Sequence, residues 1–241
     1  MKIGIMQPYF FPYLGYWQLM NAVDRYVVYD DVNYIKGGRI NRNRILIQNK
    51  SGPINLILSG ASPNKLIRQV EVNTEPILGK KLLRTIEMSY ARAPQYDYVM
   101  PILENIILSQ KKNLSDYLYY SFLKIGEYLG IHTELILSSN IEKNCSLKSY
   151  HKVISICKIL GGDEYYNSIN GIPLYVPHVR EFQEAGIELY FPKMREIHYQ
   201  QFKNEFVPNL SIIDVMMFNS RQECQRLLGE YDLLKGSEII L

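Results

Sequence analysis

The side chains best suited to chemistry crowd into the first 44 residues of this 241-residue chain. Gln7 ends an apolar run, Lys2-Ile3-Gly4-Ile5-Met6, and opens the turn Gln7-Pro8-Tyr9-Phe10-Phe11-Pro12-Tyr13-Leu14-Gly15-Tyr16. Its amide both donates and accepts, which suits a sugar hydroxyl or the edge of a base. Pro8 and Pro12 stiffen the turn, and a restrained loop loses less entropy when a ligand docks. Tyr9, Tyr13 and Tyr16 offer apolar bodies with polar tips. Gly15 permits close approach near the start of a following helix, whose free N–H groups favour an anion.

A second apolar run, Tyr26-Val27-Val28-Tyr29, delivers Asp30 and Asp31. Adjacent carboxylates at a strand end can hold a divalent cation against a diphosphate, or take a proton from an attacking amine. Side chains alternate along a strand, so at most one of the pair faces a given site. Hydrogen bonding to substrate ranks above metal ligation, and no metal site is expected. The basic cluster follows at once: Lys36, Arg39, Arg42 and Arg44, with Asn41 and Asn43 between them. Arginine's planar fork matches phosphate or carboxylate, and lysine acts as a compact point charge.

Later signals are sparser. His198-Tyr199-Gln200-Gln201 could supply a general base with phenol and amide neighbours. Ser138-Ser139-Asn140 reads as a cap, and Ser211 with Asp214 as a helix start. His132, His151, His178 and His198 show no metal-ligand spacing. Neither GxSxG, GxGxxG nor GxxxxGK[ST] occurs, which removes the usual support for a serine hydrolase, a Rossmann dehydrogenase or a P-loop ATPase.

These groups need elements to hold them. Short runs rich in Ile, Val and Leu predict strands near 2–6, 26–30, 44–48, 54–58, 68–72, 134–138 and 187–191. Leu78, Leu82 and Ile86 share one stripe after a first-turn Pro76, and Leu114, Leu118, Phe122, Ile125 and Leu129 share another before Gly130. Further helices are expected at 96–110, around Val153–Leu160, and at 13–22, 176–185, 211–218 and 221–228. Helices that return the chain to a sheet imply parallel pairing. Turn signals at 50–53 and 60–63 suggest an antiparallel meander. The expected fold is α/β: a mixed, partly parallel sheet with flanking helices and a mainly helical lobe. One domain is expected over 1–241, comprising a sheet-forming region (1–75), a helical block (76–130) and a remaining α/β and helical portion (131–241).

The two leading runs then open at one sheet edge, where open α/β sheets bind ligands. Composition sets the bounds. A hydrophobic fraction of 47% and a charged fraction of 21% are those of a globular protein, and a net charge of +3 is too small to argue for nucleic acid. Three widely spaced cysteines form no CxxC pair, which fits a reducing compartment. No apolar stretch reaches the roughly 18–20 residues a membrane helix needs. Without a visible secretory signal, the cytoplasm is the expected location.

The segments GIMQPYFFPYLGYWQL and DRYVVYDDVNYIKGGRINRNRI resemble the WbqC-like family of bacterial proteins. The resemblance continues through Tyr90-Ala91-Arg92-Ala93-Pro94, Ser138-Ser139 and Tyr165 to HYQQFKNEFVPNLSIIDVMMFN. It implies a role in making surface polysaccharide such as O-antigen and lipopolysaccharide, and carries over Gln7, Pro8, Tyr9, Pro12, Gly15, Tyr16, Asp30, Asp31, Lys36, Asn41, Arg42, Asn43, Tyr199, Gln201, Ser211 and Asp214. Arg39-Ile40 departs from the family's pattern, in which a tryptophan is common.

The function expected is a transferase acting on a nucleotide-activated amino sugar, with N-acyl or aminoacyl transfer as the favoured step. Asp30, Asp31 and His198 are the catalytic candidates. Gln7, Tyr9, Tyr13, Gly15, Tyr16, Lys36, Asn41, Arg42, Asn43, Tyr199 and Gln201 are the substrate-binding candidates. The partners would be a nucleotide-linked sugar and an acyl or aminoacyl donor; no cofactor is specified, and an oligomer is compatible. The alternatives are a metal-dependent glycosyltransferase resting on Asp30-Asp31, and a sugar-binding or scaffold protein without catalysis.

Overall fold

The computed structural model describes residues 1–203 and 205–240. In chain order the elements are β1 (Lys2–Met6), α1 (Leu14–Asn21), β2 (Arg25–Val28), β3 (Arg42–Ile47), β4 (Lys50–Asn55), β5 (Leu58–Ser59), β6 (Glu71–Val72), α2 (Pro76–Tyr90), α3 (Tyr96–Ile107) and α4 (Leu114–Leu129). There follow β7 (Glu134–Leu137), α5 (Ser149–Ile159), β8 (Glu164–Tyr166), α6 (Ile172–Tyr175), α7 (Val179–Glu184), β9 (Glu188–Met194), α8 (Ile212–Phe218), α9 (Arg221–Leu227) and β10 (Tyr231–Lys235).

The fold is α/β. A six-stranded sheet runs in the order β10-β9-β8-β1-β2-β7, and two small antiparallel pairs, β3-β4 and β5-β6, lie outside it. Every pairing from β9 across to β7 is parallel, and β10 alone joins antiparallel, at the β9 edge. Both faces of the sheet are covered, as parallel strands require. Ile3, Ile5 and Val27 pack on one side with Val153, Ile156 and Cys157 of α5 and Phe182 of α7. Tyr26 and Val28 point the other way, into a larger core with Tyr16, Trp17 and Met20 of α1 and Leu118, Phe122 and Ile125 of α4. The alternation along β2 is the period of two that a strand imposes.

Two strands have no counterpart among the sequence expectations. Glu164–Tyr166 is only three residues long, too short to show a period, and Tyr231–Lys235 is an edge strand without alternation. The meander expected over 44–72 is instead two separate hairpins. The first turns at Gln48-Asn49, both with positive φ, and not at 50–53; Pro53 sits within β4, opposite Arg44. Two successive positive φ values define the primed turn that matches strand twist. A two-stranded ribbon has two edges, so proline is tolerated there.

Candidate functional site

From β1 the chain moves to β2 and β7 on one side, while β8 and β9 lie on the other. The strand order reverses between β1 and β8, and in open α/β sheets the ligand crevice opens at the carboxyl ends beside such a reversal. The loop that leaves β1 there, residues 7–13, is strained and tightly held. Phe11 has φ of 44°, a left-handed backbone that a bulky side chain rarely adopts. Its carbonyl accepts from Asn43 Nδ2 at 2.6 Å and from Ser211 Oγ at 2.7 Å. The Phe10 carbonyl also accepts from Asn43 Nδ2, at 2.9 Å, and Phe10 N–H donates to the Arg39 carbonyl at 3.0 Å. Pro12 O accepts from Trp17 Nε1 at 3.1 Å and from Ile212 N–H at 2.9 Å. Segments around 41–44 and 211–212 thus clamp one short loop. Strain of this kind persists only where the surroundings over-determine it, and it gathers at functional sites.

The clamp grips the backbone and leaves three side chains half-exposed: Gln7, Tyr9 and Tyr13. Tyr16 is buried; its hydroxyl donates to Gln7 O at 2.9 Å, so it supports the loop from beneath. Gly15 makes room for Tyr13, since a Cβ there would lie 2.5 Å from the Tyr13 ring.

Two hollows adjoin the loop. Joined to the loop through Asn43 and Arg39 is an open basic cleft of about 810 Å³, with Arg39, Arg42 and Arg44 on its wall. Arg42 and Arg44 are two apart on β3 and share its outer face, while buried Asn43 turns inward to the loop. None of the three arginines has an ion-pair partner among the described residues. Arg39 pulls the Tyr9 phenol's pKa down, though burial pushes it up by more, so the cleft and the loop are electrostatic neighbours. Asn41 also lines the cleft, yet its side-chain Oδ1 accepts from the Tyr34 hydroxyl at 2.8 Å and its Nδ2 donates to Leu56 O at 2.9 Å. Lys36 is exposed beside Gly37, which forms part of the rim.

On the Tyr13 side is a cavity of about 270 Å³ beyond the end of β9. Tyr13, Met194, Ile197, Phe206 and Val215 give it apolar walls, and Glu196, His198 and Tyr199 carry its polar groups. His198 Nε2 lies 2.9 Å from Glu196 Oε1, its ring tilts over Phe206, and 63% of the side chain is exposed.

The acidic pair occupies different ground. Asp30 is buried; its Oδ1 accepts from Ser139 N–H at 2.9 Å, and its Oδ2 from Ser115 Oγ at 2.9 Å and Ser139 Oγ at 2.7 Å. It ties the first turn of α4 to the end of β7. Asp31 Oδ2 meets Lys143 Nζ at 3.0 Å and Lys152 Nζ at 3.1 Å, with the three side chains only 9%, 3% and 10% exposed respectively. Lys152 also lies over the Tyr29 ring, 4.9 Å from its centre. Burial is the largest influence on the Asp31 carboxyl and pushes its pKa up. Ser138, Lys143 and Lys152 together outweigh it, and the net shift is downward. Both carboxylates are therefore enclosed, and neither lines either hollow.

Tyr199 and Gln201 converge on a third buried carboxylate. Asp214 accepts from Tyr90 Oη at 2.7 Å, Tyr199 Oη at 2.7 Å and Gln201 Nε2 at 2.6 Å. No cation joins it, and burial raises its pKa above the ordinary carboxylate value. Gln201 closes the arrangement by accepting from Val207 N–H at 2.7 Å. Of the groups sequence reasoning singled out, Tyr13, Arg42 and His198 line the two hollows, and Gln7 and Tyr9 are half-exposed on the loop without lining either. Asn43, Tyr16, Gly15 and Gln201 build that face from behind. Lys143, Lys152 and Ser115 were not foreseen; a lone lysine or serine, on a helix or in a loop, carries no pattern that marks a partner.

The sequence model of the WbqC-like protein family matches residues 7–226. The chain belongs to that family. It is also 28% identical, over 224 residues, to the uncharacterized protein Rv1507c of Mycobacterium tuberculosis, a span of 90% of this chain and 93% of that protein. No solved structure matches the chain. The family match takes in the whole of the clamped loop, both hollows and Asp214. Among the described residues no group of three or more His, Cys, Asp and Glu side chains gathers, and no helix is long and apolar enough to cross a membrane.

Proposed function

We propose that this WbqC-like protein is a transferase acting on a nucleotide-activated amino sugar of surface-polysaccharide synthesis, by N-acyl or aminoacyl transfer. The observation that carries the reading is the clamped loop 7–13, which lines a cavity holding a histidine through Tyr13 and is gripped by Asn43 of a basic cleft. Transfer between two substrates needs two adjoining seats on one rigid wall, because most of the rate comes from positioning. In this reading Arg39, Arg42 and Lys36 hold the diphosphate, and Gln7 and Tyr9 meet the sugar. Tyr13 and His198 face the reacting groups. His198, oriented by Glu196, takes the proton from the attacking amine, a contribution typically of about 10²–10⁴-fold. Asp30 and Asp31 serve as positioning groups: the first joins α4 to β7, and the second holds Lys143 and Lys152 at the same sheet edge. Their oxygens also weigh against the metal-dependent glycosyltransferase. Asp30 commits both to Ser115 and Ser139, and Asp31 keeps a single buried one beside two ammonium groups.

Isothermal titration against a panel of nucleotides and nucleotide-linked sugars tests the reading. Binding of a nucleotide-linked amino sugar is expected, and Arg42→Ala should weaken it by about 10–100-fold, the worth of a charge-assisted hydrogen bond. Silence across the whole panel would sink the proposal.

A further inference from the structure

A second enclosed space lies away from the clamped loop, where β4 and the strand pair β5-β6 meet α2 and the end of α3. This cavity measures about 200 Å³, and two of its lining hydroxyls, Tyr117 Oη and Ser109 Oγ, are buried with no hydrogen-bond partner among the described residues. Tyr117 is 1% exposed. An unpaired buried hydroxyl is costly, and such groups in folded proteins are normally satisfied by something. Burial pushes the Tyr117 phenol's pKa well up, so it stays protonated and serves as a donor. The first turn of α2 borders the same space and has no side-chain cap. Val72, Leu78, Leu82, Ile107 and Leu108 supply the remaining apolar wall.

Asn55, Asn73, Glu75, Lys80 and Gln110 also line the space, but the two unpartnered hydroxyls beside aliphatic walls suit a ligand with an acceptor oxygen on a short hydrocarbon body. At about 30 Å³ for each water-sized group, the space holds roughly six heavy atoms. We infer that this cavity binds a short aliphatic acyl group, its carbonyl or carboxylate oxygen accepting from Tyr117 and Ser109. The claim is one of binding, and it stands whether or not the transfer reaction proposed above is right. The cavity and the basic cleft share Asn55, Leu56 and Ile57 as a common wall, so an occupant here would lie next to whatever the arginines hold.

The test is a ligand-observed NMR titration of the full chain with three four-carbon probes: butyrate, butyramide and butylammonium. Butyrate or butyramide should bind, and which of them binds better separates a free acid from a neutral acyl group. Butylammonium has no oxygen to accept from Tyr117 and should bind more weakly than the acyl probes, although Glu75 also lines the space. Tyr117→Phe should weaken acyl binding by about 3–10-fold while the unliganded protein melts at or above the wild-type temperature, since an unpaired hydroxyl has been removed. Ser109→Ala gives an independent reading at the cavity's partly exposed end. The inference fails if no probe binds, if butylammonium binds as well as the acyl probes, or if both variants bind like wild type. A high-resolution map with only ordered water on Tyr117 after soaking in butyramide would overturn it too. Arg42→Ala should weaken nucleotide-sugar binding and keep butyramide binding, so this inference and the transferase reading fail separately.

Discussion

The carbonyl of Phe11 and the side-chain amide of Asn43 meet at 2.6 Å, and that contact holds a left-handed phenylalanine in place at the carboxyl edge of the sheet. Asn43→Ala removes the donor shared by Phe10 and Phe11, leaving the Phe11 carbonyl with Ser211 alone and the Phe10 carbonyl without its side-chain donor. The expected loss is about 2–3 kcal/mol of stability, read by urea denaturation. Nucleotide-sugar affinity should fall more than tenfold at temperatures where the variant is still folded. An unchanged affinity would separate the loop's shape from binding.

Gly15→Ala should leave stability nearly unchanged and act in the same sense as Asn43→Ala on binding. Alanine in a helix is favoured over glycine by up to about 1 kcal/mol, but its Cβ displaces the Tyr13 ring. Thermal unfolding should show little or no loss, while turnover with an amino-sugar acceptor drops. Equal activity in the two proteins would take Tyr13 out of the site.

Arg42 and His198 border different hollows, and kinetics should distinguish them. Arg42→Ala is expected to raise KM for the nucleotide-linked substrate with a smaller change in kcat. His198→Ala should lower kcat by about 10²–10⁴-fold with KM nearly unchanged, as loss of a general base does. Both residues are exposed, so neither change should disturb the fold.

The two shifted buried carboxylates make opposite demands on pH. Asp31 has its folded pKa below the ordinary 3.8, so folding favours its ionised form. The stability it contributes is present above pH 3.8 and disappears as pH falls through the lowered folded value. Asp31→Asn leaves Lys143 and Lys152 without their counter-charge, and should cost about 3–5 kcal/mol at pH 7. That gap should narrow in acid. Asp214 is shifted upward from 3.8, so its contribution is complete below pH 3.8 and fades as pH rises through the folded value. Asp214→Asn should therefore lag wild type most in acid and recover ground toward neutrality. Denaturation curves at several pH values, with the two variants moving in opposite directions, are the check.

The sheet was legible where strands are long and apolar. Lys2–Met6 and the segment after Asp24 announce themselves, and their parallel pairing follows from the helix between them. Glu164–Tyr166 escaped because three residues show no period, and the first hairpin's turn was misplaced because Gly52-Pro53 looks more turn-like than Gln48-Asn49. At the site, the sequence marks where polar groups gather but not which way they face. Asn41, Asn43 and Gln201 carry the same amide that would bind a sugar, and here those amides bind backbone or carboxylate instead. An enclosed acid such as Asp30 looks the same in one dimension as an open one, because its partners Ser115 and Ser139 are 85 and 109 residues away.

The grip of Ser211 on Phe11 spans 200 positions. A ribosome that has delivered only the first half of the polypeptide cannot yet have shaped the segment after β1, whatever the nascent sheet has achieved. In the proposed reading, recognition is thereby withheld until Ser211 has been made. Fragments ending before Ser211 should be inert toward ligand even if they are compact, and adding the missing carboxyl-terminal piece in trans is the direct way to restore it.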